Sequence, residues 1–370
     1  MCPFLSMLLI VTLFPASTPE DAPRIYQGKT IGQWVEALSA KDPSVRRQAA
    51  EALAKLKPWD ERAIAALAER LADKEGSVDI KALDALSAIG SAAVPALIDA
   101  LKNRDADARR WATVALGKIG PKARTSIPAL IGALQDNDSS VRTYAAKALG
   151  QIAPGAKEVG PVVAALMGAL KDKEDEVRRW AACSLGEIGP RAHPAIARLT
   201  DALTDNYPMV QWSAVWALGR IGPRARTAVP ALIKTLPKNG PFIRRATAET
   251  FGEIGPDAKA AVPVLIEMLH DEEIGEAFGD PPYLAAAGAL GEIGPQAQAA
   301  VPALIEALHH ENLDMRRETA WALGRIGPAA KKALPGLIAA LEDKDTLVRR
   351  RAKDALRRID QAAARKAGVR

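Results

Sequence analysis

The sequence predicts an all-α protein: a right-handed α-α superhelix, or solenoid, of about ten helix-pair repeats. Three observations carry this expectation. A phrase of the form Leu-Gly-x-Ile-Gly-Pro recurs at 116–121, 185–190, 218–223, 290–295 and 323–328. Its Ile, or the Leu equivalent, falls at 56, 89, 119, 152, 188, 221, 254, 293, 326 and 359, and six of the nine spacings are 33 residues. A period of this size marks stacked repeats, each burying its apolar face only against its neighbours. Aromatic residues make up 4 % of the 370, and Ala dominates the apolar positions, which suits helices packed through small side chains.

One unit, 127–161, shows why each repeat is a helix pair. Pro128 sits in a first helical turn, where a missing N–H is tolerated. Leu130, Ile131 and Leu134 then form the apolar stripe of a short helix A. Asp136-Asn137-Asp138 breaks it, and Asp138 is placed to N-cap helix B. Helix B carries Val141, Ala145, Ala148, Leu149 and Ile152 at helical spacing. In most units a Gly-Pro pair ends it, Gly as the positive-φ cap and Pro as the stop. The same pattern starts A helices near Ile31, Ile64, Val94, Ile127, Val159, Ile196, Val229, Val262, Val301 and Leu334. Repeat lengths differ by multiples of three, close to a helical turn, so apolar faces keep their side. The longest repeat holds an irregular insertion, Asp271 to Tyr283, whose Gly275, Gly279 and Pro281-Pro282 predict local mobility.

The ends differ from this body. Phe4 to Phe14 is an apolar run of signal-peptide length, followed by Pro15-Ala16-Ser17 as a small-residue cleavage zone, although Met1-Cys2-Pro3 lacks a basic residue. Residues 1–22 are thus expected to be a signal peptide and linker, 23–360 the solenoid, and 361–370 a basic C-terminal tail. The expected location is exported, periplasmic or secreted, and cytoplasmic if the leader is not genuine. No later segment is expected to cross a membrane. The chain carries +6 in all, but Arg349 to Arg370 alone holds nine basic and two acidic residues, so the body sums to −1. A nucleic-acid binder would carry its basic excess along the binding face. Cys2 and Cys183 give no disulfide framework.

Units of the form D-x-x-V-R-R-x-A-x-x-A-L-G-x-I-G-P resemble HEAT repeats, of the short type found in phycobilisome lyases, over about residues 30–360. The opening Tyr26-Gln27-Gly28-Lys29-Thr30 with Trp34 is similar to the start of exported bacterial HEAT proteins. The resemblance implies an armadillo/HEAT-like fold with the B helices lining a concave surface. It leaves function open, because the repeat consists mostly of packing residues. An Arg after the Val of helix B recurs at 46, 109, 142, 178, 244, 316 and 349. Asp42, Asp105, Asp138 and Asp345 lie four residues before their Arg, predicting i,i+4 ion pairs at the helix start. In HEAT families, the resemblance implies, such residues also pair between repeats.

The candidate partner-binding face lies on helix B, at the second, third, sixth and tenth positions after the residue equivalent to Val141. Successive repeats place there Arg110, Trp111 and Lys118, then Tyr144, Lys147 and Gln151, then Arg179, Trp180 and Glu187. The next contribute Trp212, Trp216 and Arg220, then Arg245, Glu249 and Glu253, and later Arg317, Trp321 and Arg325. Trp and Arg are the side chains that most often anchor protein interfaces. The same rings also fit as packing over Ala-rich neighbours, and both readings stand at this point. The expected function is therefore a non-catalytic scaffold presenting a Trp/Arg-rich groove to a protein or peptide. Two alternatives follow: a phycobilisome-lyase-like role in bilin attachment, and nucleic acid held by Trp stacking beside Arg. Glu187, Glu249, Glu253, Glu292 and Glu318 on the same face oppose the second.

Catalytic and metal signals are poor, and neither a cofactor nor a metal is expected. HEAT relatives include a di-iron hydroxylase with repeated His-Glu ligands, but only His310-Glu311 makes that dipeptide here, beside His309. His270-Asp271-Glu272 is a loop fragment, and His193 has no evident carboxylate partner. Gly28-Lys29-Thr30 lacks the Gly that a phosphate-binding loop needs five residues earlier, where Pro23 stands. Cys183 has no neighbouring His and reads as an inert thiol.

Overall fold

The computed structural model describes residues 25–57, 60–75, 77–271 and 281–369. The proposed leader, and most of the Asp271–Tyr283 insertion, lie outside the described residues. The chain forms two compact units, divided between Ile89 and Gly90.

The first unit opens with a hairpin, β1 (Ile25–Tyr26) paired antiparallel with β2 (Lys29–Thr30). Gln27 and Gly28 turn it with φ of 51° and 76°, the paired positive values of a type I′ turn. Gly28-Lys29-Thr30 is thus hairpin, and Thr30 caps α1 (Ile31–Ala37) in a reciprocal box with Gln33. Trp34 is buried and its indole N–H donates to the Tyr26 carbonyl at 3.0 Å, which fixes the hairpin to the helix. Then come α2 (Pro43–Lys55), α3 (Glu61–Glu69) and α4 (Val78–Ile89).

The second unit repeats the pair eight times. The short A helices are α5 (Val94–Ala100), α7 (Ile127–Ala133), α9 (Gly160–Ala169), α11 (Ile196–Ala202), α13 (Val229–Thr235), α15 (Val262–Met268), α17 (Val301–Ala307) and α19 (Leu334–Ala339). They alternate with the longer B helices: α6 (Ala106–Ile119), α8 (Ser139–Ile152), α10 (Asp175–Ile188), α12 (Pro208–Ile221), α14 (Pro241–Ile254), α16 (Pro282–Ile293), α18 (Leu313–Ile326) and α20 (Thr346–Ile359). The architecture is an all-α solenoid. Segment 361–370, expected as a tail, contains α21 (Gln361–Lys366), capped by Asp360, with Ala364 and Val369 buried.

The Gly-Pro phrase works differently from a plain stop. Gly120 ends α6 with φ 66° and ψ −140°, a conformation essentially restricted to glycine. Pro121 then enters a 3-10 turn, Gly120–Ser126, that feeds α7. A proline at the first turn costs no hydrogen bond, so the pair redirects the chain from one helix to the next instead of leaving a loop. Gly90, with φ 77°, likewise breaks the apolar stretch 78–100. That stretch has the length and hydropathy of a membrane span, unlike the expectation from sequence. It is divided between α4 and α5, with Leu83, Leu86 and Leu97 buried.

Within each unit the B helices stack directly on one another, whereas in the second unit successive A helices touch little. Gly324 shows how close the approach is: a Cβ there would stand 3.0 Å from the Ala355 Cα on α20. Within the second unit the B helices thus form one continuous layer, and the side expected from sequence to be concave is termed the inner face.

The recurring Arg joins one repeat to the next. Arg142 donates Nε and Nη2 to the two carboxylate oxygens of Asp172 at 2.7 and 2.9 Å, and Nη1 to the carbonyls of Asp136 and Asn137. Arg109–Asp136, Arg178–Asp205, Arg244–Asp271 and Arg316–Asp343 repeat this bidentate geometry, as does Arg46–Asp73 in the first unit. The i,i+4 pairing expected from sequence gives way to a different division. Asp42, Asp105, Asp138 and Asp345 accept backbone N–H groups at the starts of their helices. The capping oxygen is thereby held by the helix end, and the Arg reaches the acid of the following repeat.

Candidate functional site

Five of the aromatic side chains expected on the inner face lie half-buried on B helices of the second unit, with Tyr144 among them in exposure: Trp111, Trp180, Trp212, Trp216 and Trp321. The structure sorts them by register. Trp111, Tyr144 and Trp180 occupy the third position of α6, α8 and α10. The Arg110 guanidinium lies 4.5 Å from the Trp111 ring centre, and Arg179 and Lys147 stand 4.7 and 4.3 Å from that of Trp180. Such contacts use the negative face of the ring and keep the cation partly hydrated. Arg110 and Arg179 are steadied by Asp107 and Glu176 one turn earlier.

Trp216 and Trp321, at the sixth position, do different work. Each six-membered ring covers a glycine of the preceding B helix: a Cβ at Gly186 or Gly291 would run into Cζ3 of Trp216 or Trp321. Each ring fills the space that the glycine leaves while staying half-buried. Trp212 continues the exposed surface. It stacks on Trp216 at 6.3 Å between ring centres and on Phe242 at 5.6 Å. Phe242 is 47 % exposed and was not singled out from sequence. Its signal was available, because it lies three residues before Arg245 and so on the same helix face.

Two clefts open beside Trp180. One, of about 370 Å³, is walled by Trp180, Trp212 and Trp216, with Lys147, Gln151 and Glu187 at its edges. The other, of about 440 Å³, is polar and bounded by Ser140, Thr143, Tyr144, Glu176 and Arg179. Lys147 and Trp180 belong to both. Cys183 borders the first cleft, where its thiol donates to the Ser213 hydroxyl at 3.2 Å. Burial pushes the thiol above its ordinary range, which keeps it protonated and unreactive.

The remaining expected residues are mostly engaged within the protein. Arg317 binds Asp345 of the next repeat and Asp314 of its own helix, both at 2.8 Å. Arg245 pairs with Glu249 at 2.9 Å, and Arg325 with Glu292 at 3.1 Å while lying 5.8 Å from Trp321. Arg220 is exposed and faces Glu253, whose carboxyl is raised by burial against the pull of Arg220. The site residues brought together are therefore those of α6 to α14. Those of α18 serve the seam between repeats.

The histidines hold no constellation. His310 accepts the Asn312 N–H at 3.0 Å and packs on Tyr283, and His193 lies 3.1 Å from Arg224. No cluster of three metal-ligating side chains occurs among the described residues.

A model of HEAT repeats matches residues 25–87, 94–162, 127–217, 196–277 and 282–357, and a model of the PBS lyase HEAT-like repeat matches residues 80–103. A search of curated proteins finds no match. Among solved structures, an engineered protein is 25 % identical with a TM-score of 0.57, over 89 % of this chain and 98 % of that one. YibA of Escherichia coli is 20 % identical with a TM-score of 0.55, over 78 % of this chain and 97 % of its own, a likeness of fold alone.

Proposed function

Because this chain belongs to the HEAT-repeat family, whose members generally serve as protein-interaction scaffolds, we propose that it is a non-catalytic scaffold binding a protein or peptide on the inner face of α6 to α14. The observation that carries this reading is the open cleft of about 370 Å³ walled by Trp180, Trp212 and Trp216. Half-exposed rings beside cations bury large area at small entropic cost. A surface that only needed packing would hide them. Affinity would concentrate in Trp180 and its neighbours, with the repeats holding them rigid.

Nucleic acid fits this face less well. Glu187 edges the main cleft, and Glu249, Glu253 and Glu292 follow it on α14 and α16. The PBS lyase HEAT-like match spans one repeat, residues 80–103, away from the cleft residues, so bilin attachment gains no support from the site. Export belongs to the same proposal, and sequencing the mature N-terminus checks it: a start near Ser17 is the expected result.

Affinity capture tests the scaffold directly. The whole protein and a Trp111→Ala/Trp180→Ala variant with an unchanged melting curve are used as matched baits. A partner held by the first and lost from the second is expected. Identical captures from both would sink the reading.

A further inference from the structure

We infer that the row of turns joining B helices to the following A helices, at residues 120–126, 153–159, 189–195 and 222–228, docks the protein on an anionic lipid surface. In all four turns the fourth and seventh residues are buried, while the third and fifth are exposed. The exposed positions hold Lys122, Arg124, Lys157, Arg191, Arg224 and Arg226, and the only acid in these turns is Glu158. The four turns therefore carry +5, although residues 1–348 as a whole sum to −1. They also touch one another. A Cβ at Gly155 would stand 3.3 Å from the Pro121 Cβ, Arg191 donates to the carbonyls of Ala156 and Lys157 at 2.8 and 2.7 Å, and Arg224 lies 3.1 Å from Nδ1 of His193. None of the six cations lines a cleft of the inner face.

These cations are held differently from those of the seam. Arg109 and Arg178 meet aspartates. Arg124 and Arg191 instead donate to backbone carbonyls, which orient a guanidinium without cancelling its charge. Among the described residues, Arg226 alone of the six has a carboxylate in reach, Asp257 at 4.0 Å. Beyond the patch, 255–261 is balanced by Asp257 and Lys259, and 294–300 carries no charge. Lys331 and Lys332 follow at 327–333, with Asp360 3.7 Å from Lys331. The charge thus comes unevenly: two cations, one, one, two, then none in excess for two turns. A nucleic-acid duplex presents phosphates at a fixed, dense interval, which this row does not match. The four turns also lack an aromatic side chain on which an unpaired base would stack. A soluble acidic segment would pay to become ordered on exposed turns that offer no large apolar anchor. Anionic lipids diffuse within their plane and gather under whatever cations approach, and a cluster of four to eight Lys and Arg is enough to attract them.

Flotation of the full-length protein tests this, with phosphatidylcholine vesicles either neutral or mixed with phosphatidylglycerol. Binding of a DNA duplex and of a poly-glutamate peptide is measured in the same buffer. Binding to the anionic vesicles is expected, with loss as salt rises from about 0.05 to about 0.5 M. The apolar run Phe4 to Phe14 favours neutral vesicles equally and so does not imitate this preference. Lys122→Glu/Lys157→Glu should weaken vesicle binding at least about tenfold, with an unchanged melting curve because both side chains are exposed. Lys171→Glu/Lys173→Glu makes the same charge change at the other end of α10. That end is about 20 Å away, beyond the Debye length of about 10 Å, so this variant should bind within about twofold of the native protein. Equal binding of neutral and anionic vesicles, equal losses from the two double variants, or tighter binding of the duplex or poly-glutamate than of the anionic vesicles would overturn the inference.

Discussion

On α6 and α10 two consecutive arginines live in different regions of the molecule, and the first of each pair has counterparts on α14 and α18. Arg109, Arg178, Arg244 and Arg316 point to the seam, where each grips an aspartate of the following repeat. Arg110 and Arg179, one residue on, turn to the inner face and lie along Trp111 and Trp180. About 100° of helical rotation separates a structural arginine from an interaction arginine. At the seam, a planar fork meets a planar carboxylate in a place with little water, and removing either partner strands a charge. On the inner face the cation keeps its water and its local acid, so its loss should be felt in binding more than in folding.

The largest expected effect breaks the seam. Arg142→Ala removes both bonds to Asp172 and both carbonyl contacts and leaves a carboxylate that is only 13 % exposed. A loss of about 3 kcal/mol is expected. Arg179→Ala, on the inner face, should cost about 1 kcal/mol or less. Urea unfolding followed by circular dichroism measures both, and hydrogen exchange should place the Arg142→Ala damage at α8 to α10. Equal losses would dissolve the distinction between the two regions.

A smaller effect sharpens the division within the inner face itself. Gly186→Ala drives a methyl against the Trp216 ring and to 3.1 Å from the Ala217 Cα. Overpacking of this kind costs about 2 kcal/mol, partly offset by about 1 kcal/mol of helix propensity. In a Trp216→Leu background the same change should cost little or stabilise, a coupling of about 1 kcal/mol or more. No such coupling would mean that Trp216 is as free as Trp180, and the sixth-position rings would rejoin the binding face.

The helix pairs were legible in the sequence because each repeat spells its own boundaries. All ten A helices begin within three residues of the apolar starts that the pattern marks, and the positive-φ glycine at 120 stands where Leu-Gly-x-Ile-Gly-Pro places it. The candidate face was legible only as a set of positions. Helical phase gives the side on which Trp180 and Trp216 emerge, but both fall on the same side. What parts them is the partner across the helix gap: Gly186 receives Trp216, whereas clefts open beside Trp180. That information lies 30 residues away and depends on inter-helix register, which periodicity does not encode. Arg317 illustrates the same limit. Its position matches Arg110 and Arg179, yet Asp345 of the next repeat captures it.

Acid separates the two regions by their titration. The Arg109 guanidinium holds Asp136 below its ordinary value of 3.8, with burial opposing and the Asp138 N–H adding to the effect. Asp73, Asp172, Asp205 and Asp343 are lowered too. In those four, burial pushes upward and is outweighed by the paired arginine and a backbone N–H. A folded value below the unfolded one means that the seam contributes its full stability above about pH 4 and loses it as pH falls toward the folded value. Melting temperature should therefore hold between pH 7 and pH 5 and drop below pH 4. Asp136→Asn should start lower at neutral pH and fall less steeply in acid, because one of the titrating links is already gone. Glu253 runs the opposite way: burial raises its carboxyl, so protonation stabilises the fold locally as pH falls through its raised value. Glu253→Gln should accordingly be neutral or slightly stabilising at pH 7. A steep loss of stability in that variant would show that Glu253 needs its charge, and would place the facing Arg220 with the seam-like pairs.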